Sequence, residues 1–302
     1  MSNIGGPDEA TTGPILVQGL LQYLCQGIII SQGVKFWTRR TEGTTRSKVY
    51  VTTLVFLSIL QTALETYKTW LELIVRRHWW TSPLHWAEFL LNGIICTLCE
   101  VFLIRRCWKV TERNNWVLFS LASLSAAIIS ANIYLAVKIG EDIGAETGYA
   151  DPLKAGSWAF PLWIYGSLVL ALSLTCILSY FLRKSKTGLS YLDRTVNSII
   201  EITWETAALP SVSAILAATF YSSKPVTHAR HLDLFFSLLI AKLYTLGILR
   251  TINLRVVFRQ RLTSTDLGRT SLNDFRWDQA ASSGTTSSQK VRRRQHETFF
   301  TA

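Results

Sequence analysis

Seven apolar runs, at roughly 14–34, 49–75, 83–104, 116–137, 158–182, 196–221 and 232–254, take up most of this chain. Each is long enough to cross a bilayer as a helix. Lipid offers no water to backbone N–H and C=O groups, so such runs must close their own hydrogen bonds. The predicted fold class is all-α, a polytopic integral membrane bundle of seven transmembrane helices. Composition agrees, because 49% hydrophobic and 17% charged residues with a mean hydropathy of +0.24 are too apolar for an ordinary soluble domain of 302 residues. The net charge of +11 is no nucleic-acid footprint, since the cations fall in short clusters between the runs. No nucleic-acid partner is expected; the lipid bilayer is.

Those clusters predict orientation. Lys35, Arg39, Arg40, Arg46 and Lys48, then Arg105, Arg106, Lys109 and Arg113, then Arg183, Lys184, Lys186 and Arg194 occupy alternate connections. Excess lysine and arginine mark the cytosolic side. The intervening loop with Glu141, Asp142, Glu146 and Asp151, and the N-terminal segment with Asp8 and Glu9, fall opposite. The N-terminus is therefore expected outside and the C-terminus in the cytosol. Arg76 and Arg77 in VRRHWWTSP break the pattern, with Trp79 and Trp80 beside them as an interfacial belt. A six-span form, in which the run near Trp158 does not cross, is the alternative. Plasma membrane and internal membranes fit the composition equally.

Residues 1–13 read as a polar tail, 14–254 as the transmembrane domain and 255–302 as a basic, Ser/Thr-rich cytosolic tail, largely disordered and open to phosphorylation. The first run lacks a basic flank and a small-residue cleavage site, so it is expected to be a retained helix. No repeat relates the two halves, which removes the clearest sequence cue for an inverted-repeat transporter.

GPILVQGLLQYLCQGIIISQG in the first run, CEVFLIRRCWKVT in the third, KTGLSYLDRTVNSIIE entering the sixth and AKLYTLGILRTINLR in the seventh carry a resemblance. The chain resembles, from about residue 13 to 255, the uncharacterised seven-helix membrane proteins abundant in mushroom-forming fungi, a family catalogued as a domain of unknown function. In similar proteins the last motif has a lysine, a tyrosine, then an asparagine and an arginine at the membrane exit; here these are Lys242, Tyr244, Asn253 and Arg255. The chain departs from the family at Glu201 and Glu205, where small or apolar residues are usual. The resemblance implies a receptor-like architecture and no settled activity.

Glu201 and Glu205, at i and i+4, share a helix face and must point into the bundle, because a carboxylate facing lipid costs several kcal/mol. Helix rise of about 1.5 Å per residue matches Glu201 in depth with Arg250, and Glu205 with Lys242. Glu100 falls in the same inner layer as Glu201. Two readings of this polar cluster compete: an ion-pair clamp holding the helices, and a site for a cation, a proton or a small ligand. Glu65, Lys68 and Glu72, spaced i, i+3 and i+7, form a second layer in the outer half with Glu88, and pairing along one helix accounts for much of that charge. Pro210 permits a kink after Glu205.

Cys107 beside Arg105 and Arg106 is a candidate palmitoylation site. CTLC, residues 96–99, has the spacing of a metal pair but no second pair at its depth, so it reads as packing. Ser123, Ala127 and Ala131 in the fourth run and Ala207, Ser211, Ala214 and Ala218 in the sixth are expected to mark helix contacts. Lys242 invites comparison with the Schiff-base lysine of retinal proteins, but LIAKLYTLG does not otherwise look like their last helix. No cofactor or metal is expected. No Gly-rich phosphate loop, nucleophile elbow or zinc-protease helix occurs, so an enzyme is not expected. A receptor or sensor with an unknown small ligand or cytosolic signalling partner is the first functional expectation, and a carrier, a channel or a membrane-organising protein the alternative.

Overall fold

The computed structural model describes residues 9–38, 45–76, 82–111, 113–144, 158–184, 208–222, 232 and 234–254. They form seven helices: α1 (Glu9–Thr38), α2 (Thr45–Leu73), α3 (His85–Val110), α4 (Asn115–Gly144), α5 (Ala159–Lys184), α6 (Ala208–Ser222) and α7 (Leu234–Leu254). No strand occurs among the described residues. Six of the helices are long and apolar enough to cross a membrane; α6, described over 15 residues, is the shorter one. The run at 158–182, whose crossing the six-span alternative denied, forms a helix of spanning length in α5. Met1–Asn253 make one compact unit. Beyond Leu254 the tail, including Arg255 and VRRRQ, lies outside the described residues, as do Glu201 and Glu205.

The first helix is apolar outward and polar inward. On α1, Leu16, Val17, Leu20, Leu24, Ile28 and Val34 are exposed, whereas Gln18, Gln22 and Gln26 are buried. Such a face is untenable in water and natural in lipid, which is the apolar solvent here. Trp116, 85% exposed at the start of α4, sits where indole rings favour the membrane interface. Asn114 caps α4, its Oδ1 accepting from the Trp116 N–H at 3.0 Å.

One apolar core runs through α2 to α7, including Leu54, Phe89, Leu103, Leu135, Trp163 and Tyr244. A smaller cluster of Ile29, Phe36, Val51 and Leu249 ties α1 to α2 and α7. Beside Leu71, the buried positions on α2 are Val51, Leu54, Ser58, Gln61, Glu65, Lys68 and Glu72. Their spacing of three and four residues in turn is that of a coiled-coil seam, so this helix packs as its apolar counterparts do while carrying five polar residues at the seam.

The small-residue faces fall out unevenly. Ser211, Ala214 and Ala218 of α6 are buried as expected, and Ala207 lies outside the described residues. On α4, Ser123 and Ala127 are exposed and only Ala131 is buried. The packed face is instead Leu121, Ser125, Ile128, Asn132, Leu135 and Ile139, chosen by where the polar Ser125 and Asn132 must hide from lipid. Asn132 lies against Gly93 of α3, where a Cβ would collide with its side-chain oxygen.

Candidate functional site, a polar seam through the bundle

A line of buried polar side chains runs between α1, α2, α3 and α7. At one end of it the Lys68 ammonium lies 2.8 Å from Glu88 Oε1 and 3.9 Å from Glu65 Oε1. Gln18 of α1 donates to Glu65 Oε1 at 2.8 Å. Glu65, Lys68, Glu72, His85 and Glu88 are all at least nine-tenths buried. The four charges expected as an outer layer are therefore together, but the short ion pair crosses from α2 to α3. Crossing matters because a pair within one helix joins nothing, whereas this one fixes two helices.

One turn deeper the seam is neutral. Gln61 Nε2 donates to Leu238 O of α7 at 3.3 Å and lies 3.5 Å from Asn92 Oδ1 of α3; Asn92 Nδ2 in turn donates to Ser237 O at 3.4 Å. Deeper still, the fully buried Lys242 reaches across to α1 and α2. Its Nζ lies 2.7 Å from Gln26 Oε1, 2.6 Å from Ser58 O, 2.8 Å from Ser58 Oγ and 2.7 Å from Thr62 Oγ1. An ammonium has three N–H groups, so four oxygens at this range share them. Ser58 Oγ and Thr62 Oγ1 also donate to Gln26 Oε1, at 2.7 and 3.1 Å, which orients that amide oxygen toward the cation.

The seam closes near the end of α7, where Asn253 Nδ2 donates to Gln32 O at 3.0 Å and Gln32 Oε1 at 2.8 Å. Of the exit motif, Asn253 thus anchors α7 to α1, Tyr244 is buried in the apolar core, and Arg255 lies outside the described residues.

The expected inner cluster is arranged differently from the depth argument. Glu100 is 2% exposed and accepts from Ser125 of α4 at 2.7 Å. Arg250 is exposed. Lys242 turns toward α1 and α2, and the carboxylates proposed for it and for Arg250, Glu205 and Glu201, fall outside the described residues. Acylation at Cys107 needs an exposed thiol, and this thiol is fully buried in the core of α3, so the helix end does not offer it. Cys96 and Cys99 likewise pack in the core, and no cysteine is in a disulfide.

Gln18, Gln22 and Gln26 of α1 escape a reading that looks only for charge. Their spacing, 18, 22 and 26, was the available signal: i, i+4 and i+8 put one amide on each turn of a single face. A small cleft beside the seam, lined by Asn92, Cys96, Trp163, Ser167, Ala214 and Ser237, has room for about one water molecule and not for an organic substrate.

A family model described as a family of unknown function, DUF6534, matches residues 167–257. The match runs from within α5 to just past α7 and takes in Lys242, Tyr244, Asn253 and Arg255. No curated protein and no solved structure matches the chain. Fold and comparison together define a multi-pass, membrane-type helical protein that contains a region similar to a family of unknown function.

Proposed function

We propose that the chain is a seven-span receptor or sensor, N-terminus outside and C-terminus in the cytosol, allied to the fungal seven-helix family and not an enzyme. The observation that carries this reading is the continuity of the seam. Glu88 of α3 holds Lys68 of α2, α2 and α1 together hold Lys242 of α7, and α7 ends on Gln32 of α1. A ligand that shifts one of these helices in the outer half changes the hydrogen bonding of all four, and α7 leads directly into the cytosolic tail. That is the differential contact a two-state switch needs.

A second reading, a carrier, is favoured by one observation: Glu65, Glu72 and Glu88 are buried around the single ammonium of Lys68. Carboxylates clustered within the membrane commonly mark an ion path. A ligand-stabilisation screen of the purified protein, followed by flux measurements on any stabilising compound in liposomes, separates the two. A receptor gives a raised melting temperature with no flux, a carrier gives both, and a membrane-organising protein gives neither. For orientation, tags at the two termini should show opposite protease protection in sealed vesicles; tags on the same side contradict it.

A further inference from the structure

Four oxygens converge on one point between α1 and α2. Gln26 Oε1, Ser58 O, Ser58 Oγ and Thr62 Oγ1 lie 2.7, 2.6, 2.8 and 2.7 Å from Lys242 Nζ. None of them belongs to α7, the helix that brings the ammonium. Buried lysines are commonly met by a carboxylate, as Lys68 is by Glu88. Among the described residues no carboxylate forms an ion pair with Lys242, and its ligands are all neutral.

The arrangement of these oxygens stands on α1 and α2 alone. Ser58 Oγ donates to Gln26 Oε1 at 2.7 Å, and Thr62 Oγ1 donates either to Gln26 Oε1 at 3.1 Å or to Ser58 O at 3.0 Å. Both hydroxyl protons are thus taken up by acceptors of the same two helices. The amide and carbonyl oxygens have no proton to give, so the point at the centre is faced by lone pairs only. Gln18 on Glu65 and Tyr23 on Thr66 hold α1 to α2 beside the cage without help from α7. Gly33 lets the helices close on its other side, where a Cβ would stand 3.2 Å from Val55 Cγ2.

Chemistry identifies what such a cage takes. Lone pairs converging from neutral oxygens suit a cation, and separations of this length are those of charge-assisted N–H···O bonds. The three N–H groups of a primary ammonium serve oxygens on several sides at once, whereas a quaternary ammonium presents only methyl groups. We propose that Gln26, Ser58 and Thr62 form a binding site for a primary ammonium cation, which the chain fills with its own Lys242. The tether keeps the effective concentration of Lys242 at the cage high, so a free amine does not displace it from the intact chain. The inference stands apart from the choice between receptor and carrier.

The test is chemical rescue, read by thermal unfolding of the full chain in nanodiscs at one pH and equal ionic strength. Lys242→Ala ends the side chain at Cβ, and propylammonium replaces the atoms lost from Cγ to Nζ. The melting temperature of this variant should rise saturably by several degrees in propylammonium chloride over tetramethylammonium chloride, as ligand linkage requires. The unaltered chain, its cage filled, should melt alike in both salts. Adding Ser58→Ala to Lys242→Ala should raise the half-saturating propylammonium concentration at least about tenfold, the scale of one lost charge-assisted hydrogen bond. Lys242→Met keeps the stem and removes only the charged end, so ammonium chloride should raise its melting temperature and propylammonium chloride should not. If Lys242→Ala does not fold, Lys242→Met decides alone: no rise in ammonium overturns the site. Equal melting of Lys242→Ala in the two salts would overturn it, as would a propylammonium response that Ser58→Ala leaves unchanged. Potassium chloride acting on Lys242→Met as strongly as ammonium would show selection by charge and size alone and overturn the assigned class.

Discussion

Lys68 and Lys242 are both buried ammonium groups, and their neighbours set them apart. Lys68 sits against carboxylates, so Lys68→Met removes the ammonium that faces Glu65 and Glu88. Breaking a buried ion pair in this way costs about 3–5 kcal/mol. Lys242 is held by neutral oxygens, which keep bonds to one another when it goes: Ser58 Oγ and Thr62 Oγ1 still donate to Gln26 Oε1. Its loss also removes the desolvation of a cation, so Lys242→Met should cost less than about 2 kcal/mol. Thermal unfolding of the two variants in nanodiscs compares them directly. Equal and large losses would mean that Lys242 serves a carboxylate such as Glu205 after all. Sequence reasoning put Glu65, Lys68 and Glu72 on one face because i, i+3 and i+7 fix a face whatever the fold. It sent Lys242 toward the sixth helix because depth alone does not say which neighbour a side chain faces, and the oxygens that hold Lys242 are uncharged and give no charge signal.

At the level of the helices, the packing of α3 on α4 depends on Gly93, which leaves space for the Asn132 side chain. Gly93→Ala should lower stability by about 1–3 kcal/mol, the usual range for overpacking. Combined with Asn132→Ala, the same substitution should cost almost nothing, since the obstructing amide is gone and neither of its polar atoms had a protein partner to lose. Additive losses in a thermal melt would show that the collision is relieved elsewhere. The packed face of α4 was misread for a related reason. Small residues permit close approach, but lipid repels polar side chains more strongly than it rewards close packing, and Ser125 and Asn132 turned that face inward. The seam of α2 was legible in part: its charges were read as one face, while Ser58 and Gln61, which complete the three-four spacing, carry no charge to draw attention.

Across the whole molecule, the all-helical class and six helices of spanning length among the described residues followed from run length, because hydrocarbon thickness sets helix length with little help from tertiary contacts. The site did not follow, since it depends on which helices lie side by side, and three of its four helices are distant in sequence from the fourth. The helix α2 is expected to cross the bilayer with its charged edge turned to protein. Nitroxide labels placed singly along residues 51–72 in nanodiscs, read for collision with oxygen and with a water-soluble nickel complex, measure this. Oxygen accessibility should rise and fall with the helix period, with minima at 58, 61, 65, 68 and 72 and maxima at the exposed apolar positions such as Phe56, Ile59, Leu60 and Trp70. High nickel collision at every position would show that α2 lies in water, and oxygen maxima at Glu65 and Lys68 that its charged edge faces lipid.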